Sequence, residues 1–153
     1  MFLSVAISNV PAMHSVWHPW RTAAEHYPHI NIVCKHRLPQ GIRGLLKGDT
    51  IWLCNTLTQA ERRSTLTHEL IHLDRGVVAP PLRQREEWYV DALAARRLIP
   101  LPALLRGLQQ AQDDYELAEE LWTDVHTVRV RRETLTADEY KWLDQHLDDM
   151  EIA

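Results

Sequence analysis

The chain has 153 residues, of which 45% are hydrophobic, and it carries a formal net charge of −4. This length and composition are typical of one domain with a sizeable core. The negative charge argues against a general polyanion binder, although it is compatible with a local basic patch, and no apolar run reaches the roughly 20 residues that a membrane span requires.

The N-terminal residues 1–17 are predicted to be a lead-in to a single domain spanning residues 18–153. The stretch Phe2–Val10 is short and has no basic residue ahead of it, which is unlike a signal peptide. Cys34 and Cys54 are too few for a disulfide framework, and each lies in an apolar, strand-like run. Reduced core thiols are therefore expected, which favours a cytoplasmic protein.

A short helix and three strands are predicted next. Pro19 suits the first turn of a helix that runs to about His26 and is closed by Pro28. Alternating apolar residues and turn residues predict strands at His29–Lys35, Ile42–Leu46 and Thr50–Asn55, with turns at Pro39-Gln40-Gly41 and Lys47-Gly48-Asp49.

A longer helix follows the strands. Thr58 fits its N-cap, and Glu61 three residues later completes a capping box. The helix is predicted to run to about Asp74, with Gly76 at the position that ends it.

This helix contains the sequence His68-Glu69-Leu70-Ile71-His72. Two histidines four residues apart on a helix point within about 40° of each other, so both can bind one metal ion. Glu69 projects about 100° from His68, which lets it face a water on that metal. Water polarised by Zn²⁺ becomes a nucleophile near neutral pH, with the glutamate accepting its proton. The motif predicts a zinc-dependent peptidase; the competing interpretation is a pair of hydrogen-bonded core histidines beside an apolar helix face formed by Leu66, Leu70 and Leu73.

A catalytic zinc needs a third protein ligand, and the next predicted helix, Arg85–Ala95, offers one. Glu87 is the candidate ligand, and Asp91 lies four residues later on the same helix face. A carboxylate there can accept the distal N–H of a metal-bound histidine and fix its tautomer. The alternative for this segment is a solvated charged face, to which Glu86 is assigned.

At these residues the chain resembles the ImmA/IrrE metallopeptidases, many of which are encoded by phages or mobile elements. The matching segments are Thr65–Leu73 and Glu87–Pro100, within a weaker likeness from about Pro28 to Leu135. The family commonly has a second Glu two residues after the first, followed by Ala-Asn; this chain has Tyr89, Val90 and Asp91 there. Asp91 keeps an acceptor, whereas Tyr89 leaves only Glu87 or Glu86 as the third ligand.

The resemblance implies a gluzincin-like site in which two His and one Glu hold Zn²⁺. It also implies cleavage of a helix-turn-helix repressor in the cytoplasm of a bacterium or a phage-infected host. The expected fold is α+β, with a small three-stranded sheet packed on a zincin-like helix that carries the motif and a helical C-terminal half. In zincin-like enzymes an exposed edge strand can pair with the substrate backbone. The second or third strand fits that role, and an ordinary core strand is at least as plausible for either.

The C-terminal part, about residues 114–135, resembles a helix-turn-helix and offers a rival function. The helix Asp114–Leu121 is followed by a second over Val125–Leu135, whose Arg129 and Arg131 are candidates for DNA contact together with Thr127. Against this, the pair lacks the usual turn glycine, and negative charge on the first helix and the turn would repel phosphates, at Glu116, Glu119, Glu120 and Asp124. Helical packing or docking of a substrate protein is favoured over direct DNA binding.

Two functions therefore remain. The first is a zinc endopeptidase that cleaves a repressor or similar regulatory protein; the second is a catalytically idle zinc protein that regulates by binding DNA or a protein partner. Glu69 favours the first, because a structural zinc site prefers four closed ligands and has no need of a base.

The remaining histidines have no clear role in the sequence. His14 and His18 also lie four apart, but Pro19 disfavours a shared metal there. Five others lack a paired carboxylate or a partner in helix register, namely His26, His29, His36, His126 and His146. One of these five, or Tyr89, is expected to stabilise the oxyanion of the reaction, and nothing in the sequence selects which.

Overall fold

A three-stranded sheet and seven α-helices make up the part of the chain that the computed structural model describes, residues 16–151. This confirms the predicted α+β class. The predicted lead-in lies outside the described residues up to position 15, and so does His14. The helices are α1 Pro19–His26, α2 Gln59–Arg75, α3 Arg83–Leu98, α4 Leu101–Gln110, α5 Asp114–Leu121, α6 Val125–Glu133 and α7 Ala137–Glu151.

The sheet has the order β1-β3-β2, with strands β1 Asn31–Val33, β2 Gly44–Lys47 and β3 Thr50–Leu53. β1 pairs with β3 in parallel, and β2 pairs with β3 in an antiparallel hairpin. The second strand starts two residues later than predicted. The reason is the preceding turn, in which the Ile42 amide donates to the Pro39 carbonyl at 3.0 Å, so that pairing begins only at Gly44.

One face of the sheet packs against α2. The buried side chains of β3, Ile51 and Leu53, contact Leu66 and Leu70 of that helix, and α1 closes the cluster with Ala23. A second cluster joins α3 to α7 and includes Ile71 of α2. The central helix is therefore held between two apolar clusters.

Both ends of α2 are as predicted. The Thr58 hydroxyl accepts from the Glu61 amide at 3.2 Å, and the Glu61 carboxylate accepts from the Thr58 amide at 3.3 Å. The helix runs to Arg75, and Gly76 follows it with φ +82°, a conformation that glycine adopts without strain.

Trp17, the last residue of the predicted lead-in, contacts α2. Its indole N–H donates to the Thr67 hydroxyl at 2.7 Å, and its carbonyl accepts two hydrogen bonds from the buried Arg63. The same guanidinium donates at 2.8 Å to the carbonyl of Trp122, which joins α5 to α6 in a left-handed conformation, φ +53°. Trp17 is thus part of the folded domain, because it satisfies polar groups of α2. No helix within residues 16–151 has the length and apolar character of a membrane span.

Candidate metal centre

Three potential ligands converge between α2 and α3. The Nε2 atoms of His68 and His72 lie 3.1 Å apart, and the Glu87 carboxylate lies 3.1 Å from the first and 2.9 Å from the second. The helix pair brings them together because His68 and His72 are one turn apart on α2 and α3 folds back across that face. Glu87 is half-exposed, so the group faces solvent on one side.

These distances fit a zinc ion. Ligand atoms about 2.0–2.1 Å from zinc at tetrahedral angles lie about 3.3–3.4 Å from one another, only a few tenths of an ångström more than the separations here. Two imidazole nitrogens and a carboxylate oxygen are also a donor set that zinc accepts readily. The donor set and its spacing therefore fit the predicted cofactor.

Asp91 sets the tautomer of His68. Its Oδ1 lies 3.0 Å from His68 Nδ1, and because an ionised carboxylate only accepts, that nitrogen must carry the proton. His68 Nε2 then presents its lone pair to the centre between the three ligands, as metal binding requires. Burial opposes ionisation of Asp91, but hydrogen bonds from His126 and His68 hold the pKa of its carboxyl below the ordinary value.

His126, one of the five histidines for which the sequence indicated no carboxylate partner, contacts Asp91. Its Nε2 donates to Asp91 Oδ2 at 2.9 Å, so a carboxylate partner exists after all. The two residues are 35 positions apart and lie on different helices, α3 and α6. No helical spacing connects them, so only the packing of the helices shows the contact.

Glu69 lies beside the ligand group and is largely buried, 8% exposed. Burial raises the pKa of its carboxyl, the charge of His68 lowers it, and the charge of Glu87 raises it, with a net rise. A carboxylate that lies beside the ligand group without belonging to it can accept a proton from a water held there. This position agrees with the predicted role of Glu69 as a base.

Glu86 does not belong to the group of converging ligand atoms. Its carboxylate pairs with Arg75 through two hydrogen bonds, from Nη2 at 3.0 Å and from Nε. The hydrogen bond from Arg75 also lowers the pKa of this carboxyl. Glu86 is 8% exposed, so its assignment to a solvated face was wrong. Adjacent residues of a helix point about 100° apart, so Glu86 points toward α2 while Glu87 points toward the ligand group.

A cleft runs past the centre along β2. Two cavities, of about 840 Å³ and about 460 Å³, adjoin the centre. Both are lined by Gly44, His68, Glu69 and Glu87. The larger one has apolar walls from Leu45, Leu46, Leu73, Val77 and Val78, and the smaller one is lined by polar side chains such as Arg43, Asp124 and His126.

The strand pairing decides which strand borders the cleft. β3 is central, with β1 and β2 on either side of it, so its backbone is occupied on both edges. β2 is an edge strand, and three of its residues line the larger cavity, Gly44, Leu45 and Leu46. Of the two strands that the sequence left open, β2 is the one available to an extended peptide.

Tyr89 does not line either cavity. Its hydroxyl accepts from Arg85 at 3.3 Å, and the guanidinium of Arg75 lies over its ring, 5.7 Å from the centroid. Of the five histidines and Tyr89 that were expected to supply an oxyanion contact, His126 lines the smaller cavity and the others line neither cavity.

Two of the residues assigned to DNA contact, Arg129 and Arg131, do not line the cleft. Arg131 is 2% exposed; its Nε donates to the Ile99 carbonyl at 2.8 Å and its Nη2 to Glu139 at 2.9 Å. The expectation that Arg131 reaches a DNA groove was wrong, because the side chain joins α6 to α7 inside the fold. Thr127 is also buried. Arg129 is half-exposed, but it lies 3.5 Å from Asp114 and over the ring of Tyr115.

Comparisons of the chain with known proteins found no match. No family model matches the chain, no curated protein is significantly similar to it, and no solved structure matches it significantly.

Proposed function

We propose that the protein is a zinc endopeptidase of the gluzincin-like type that the resemblance suggested, with His68, His72 and Glu87 as metal ligands. One observation carries the proposal: three ligand atoms within 4.8 Å of one another lie in an open cleft, with a buried carboxylate beside them that is not a ligand. A closed structural site would have a fourth protein ligand and no such carboxylate.

Zinc, when bound, would supply a Lewis acid that lowers the pKa of water into the neutral range. Glu69 would accept the proton of the attacking water and then deliver it to the leaving amine, since it lines the same cleft as the three ligands without being one of them. Asp91 holds His68 in the tautomer that binds metal. The burial of Glu69 and the partial burial of the two histidines strengthen the electrostatic interactions among these groups.

The substrate would bind in extended form along β2. The free edge of this strand offers backbone hydrogen-bonding groups, and β-strand addition aligns a peptide without regard to its sequence. Such binding requires an unfolded segment, for example a linker between domains. A helix-turn-helix repressor in the cytoplasm of a bacterium or phage-infected cell, as the family resemblance implies, is the substrate that we propose.

The test is a pair of variants. Purified protein should contain about one zinc per chain, and His72→Ala should lose it. Glu69→Gln should keep the zinc and lose cleavage of a co-expressed repressor, because the amide cannot take up the proton. If Glu69→Gln cleaves as fast as the unchanged protein, the enzymatic proposal fails.

The DNA-binding alternative gains no support from the described residues. Arg131 is buried, and Arg129 and Arg132 both contact Asp114. A gel shift on operator DNA that depends on Arg129 but not on zinc would nevertheless favour it.

A further inference from the structure

A chain of hydrogen bonds links three helices at the candidate metal centre. His68 of α2 donates to one oxygen of Asp91 on α3, and His126 of α6 donates to the other oxygen at 2.9 Å. Both carboxylate oxygens are thus engaged by different imidazoles. A carboxylate held by one hydrogen bond can still rotate about its Cβ–Cγ bond, whereas a second donor from another helix restricts its plane.

The position of His126 is itself fixed by contacts at the start of α6. Asp124 caps this helix by accepting from the Thr127 amide at 2.7 Å. The Asp124 amide donates to the Ser64 hydroxyl of α2 at 3.1 Å, and its carboxylate accepts from Arg43 at 3.0 Å. The first turn of α6 is therefore tied to the same helix that carries the two histidine ligands.

His126 does not contribute to the apolar clusters. Its side chain is 60% exposed, and its ring forms a hydrogen bond with Asp91. A half-exposed side chain in this position has little effect on packing. Its hydrogen bond acts on the carboxylate of Asp91, which in turn orients His68.

We infer that His126 is a positioning residue for the metal centre: by holding Asp91 from α6, it orients His68 and raises the affinity of the site for zinc. The inference rests on the proposed zinc site. Hydrogen-bond partners behind metal ligands typically change metal affinity by 10–100-fold when they are removed. His126 is one bond further away than Asp91, so an effect of about tenfold is expected.

The experiment measures metal binding and does not depend on catalysis. His126→Leu removes the donor at similar volume, and His126→Gln keeps an N–H donor near the position of Nε2. His36→Leu, at an exposed histidine away from the cleft, is the matched control. Zinc affinity is measured by competition with a chromophoric chelator, and the geometry is followed by the d–d absorption of Co²⁺ in the same site.

His126→Leu should weaken zinc binding about tenfold and alter the Co²⁺ spectrum, while His126→Gln and His36→Leu should bind like the unchanged protein. In an Asp91→Ala background, His126→Leu should have no further effect, because the residue acts through that carboxylate. This last result separates positioning from a general structural role.

The outcomes distinguish the two proposals. If the unchanged protein binds no zinc, the proposed function fails. If it binds zinc and His126→Leu binds equally well with the same Co²⁺ spectrum, this inference is overturned. If the metal-free His126→Leu variant also unfolds more easily than the His36→Leu control, His126→Gln decides: restored affinity supports the inference, and equally weakened affinity overturns it.

Discussion

Gly44 of the edge strand lies directly against Glu69, the proposed base. A Cβ placed on Gly44 would lie 3.0 Å from Glu69 Oε1 and 2.5 Å from the Thr65 methyl group. The strand backbone thus forms one wall of the pocket that holds the carboxylate. A glycine is needed at this point because the two elements approach each other too closely for any side chain.

Gly44→Ala is expected to impair cleavage and to leave zinc binding intact. The added methyl group would displace Glu69, and a shift of about 1 Å in a catalytic group can lower the rate about 100-fold. No proposed ligand lies on β2, so zinc content should be unchanged. Cleavage rate and zinc content are measured on the same preparation.

Thr65→Ser provides the matched rescue for this variant. The serine lacks the methyl group that would lie 2.5 Å from the new Cβ, so the double variant should recover part of the lost cleavage. Full activity of Gly44→Ala alone would show that the strand does not constrain Glu69.

Replacing either of two adjacent glutamates should separate metal binding from helix pairing. Glu87→Ala should lose zinc, and with it the stabilisation that bound zinc provides, about 2.7 kcal/mol at a concentration 100 times the dissociation constant. Glu86→Gln should keep zinc but lower the stability of the metal-free protein, because it weakens the pairing with Arg75. Thermal unfolding with and without a chelator checks both results.

The opposite pattern would contradict the assignment of ligands. If Glu86→Gln lost zinc and Glu87→Ala retained it, the third ligand would be Glu86, and the contact between Glu86 and Arg75 would have to break on metal binding.

Stability should fall in acid because of Glu139. Hydrogen bonds from Arg131 and Arg96 outweigh burial and lower the pKa of Glu139 to about 2, from an ordinary value of 4.5. Because the pKa of Glu139 is lower in the folded protein than in the unfolded chain, the charged carboxylate stabilises the fold fully at pH values above the unfolded-state pKa. This contribution is lost as the pH falls from about 4.5 to about 2. Urea unfolding between pH 6 and about 2.5 should show this loss.

In the Glu139→Gln variant, stability should decline less steeply as the pH falls through that range. At neutral pH the variant should be about 3 kcal/mol less stable, because the buried Arg131 loses its charged partner. The neighbouring Asp138→Asn, at an exposed position, should retain the decline. An equally steep decline in Glu139→Gln would assign the acid sensitivity to another group.

Features set by neighbouring residues were predictable from the sequence. The capping box at Thr58 and Glu61 depends on a spacing of three, and the facing of His68 and His72 depends on one helical turn. The pairing of Asp91 with His68 followed from the register of two helices that fold back on each other. These are the parts of the site that the structure reproduces.

Contacts between distant elements could not be predicted in the same way. The bond between His126 and Asp91 depends on how α6 packs on α3, and the burial of Arg131 depends on Glu139 of α7. The choice between Glu86 and Glu87 depended on the exact rotation of α3, because adjacent residues point about 100° apart. The edge position of β2 depended on strand order, which alternation of apolar residues does not reveal.

The position of α2 between two apolar clusters has a consequence for how the site is maintained. Leu66 and Leu70 face the sheet, whereas Ile71 faces the helical cluster, so local opening of this helix would disrupt both at once. Segments of that kind open only in the rarest, near-global fluctuations of a native protein. The two histidines are thus carried by a helix that is packed on two sides, and this packing fixes their spacing without a metal ion.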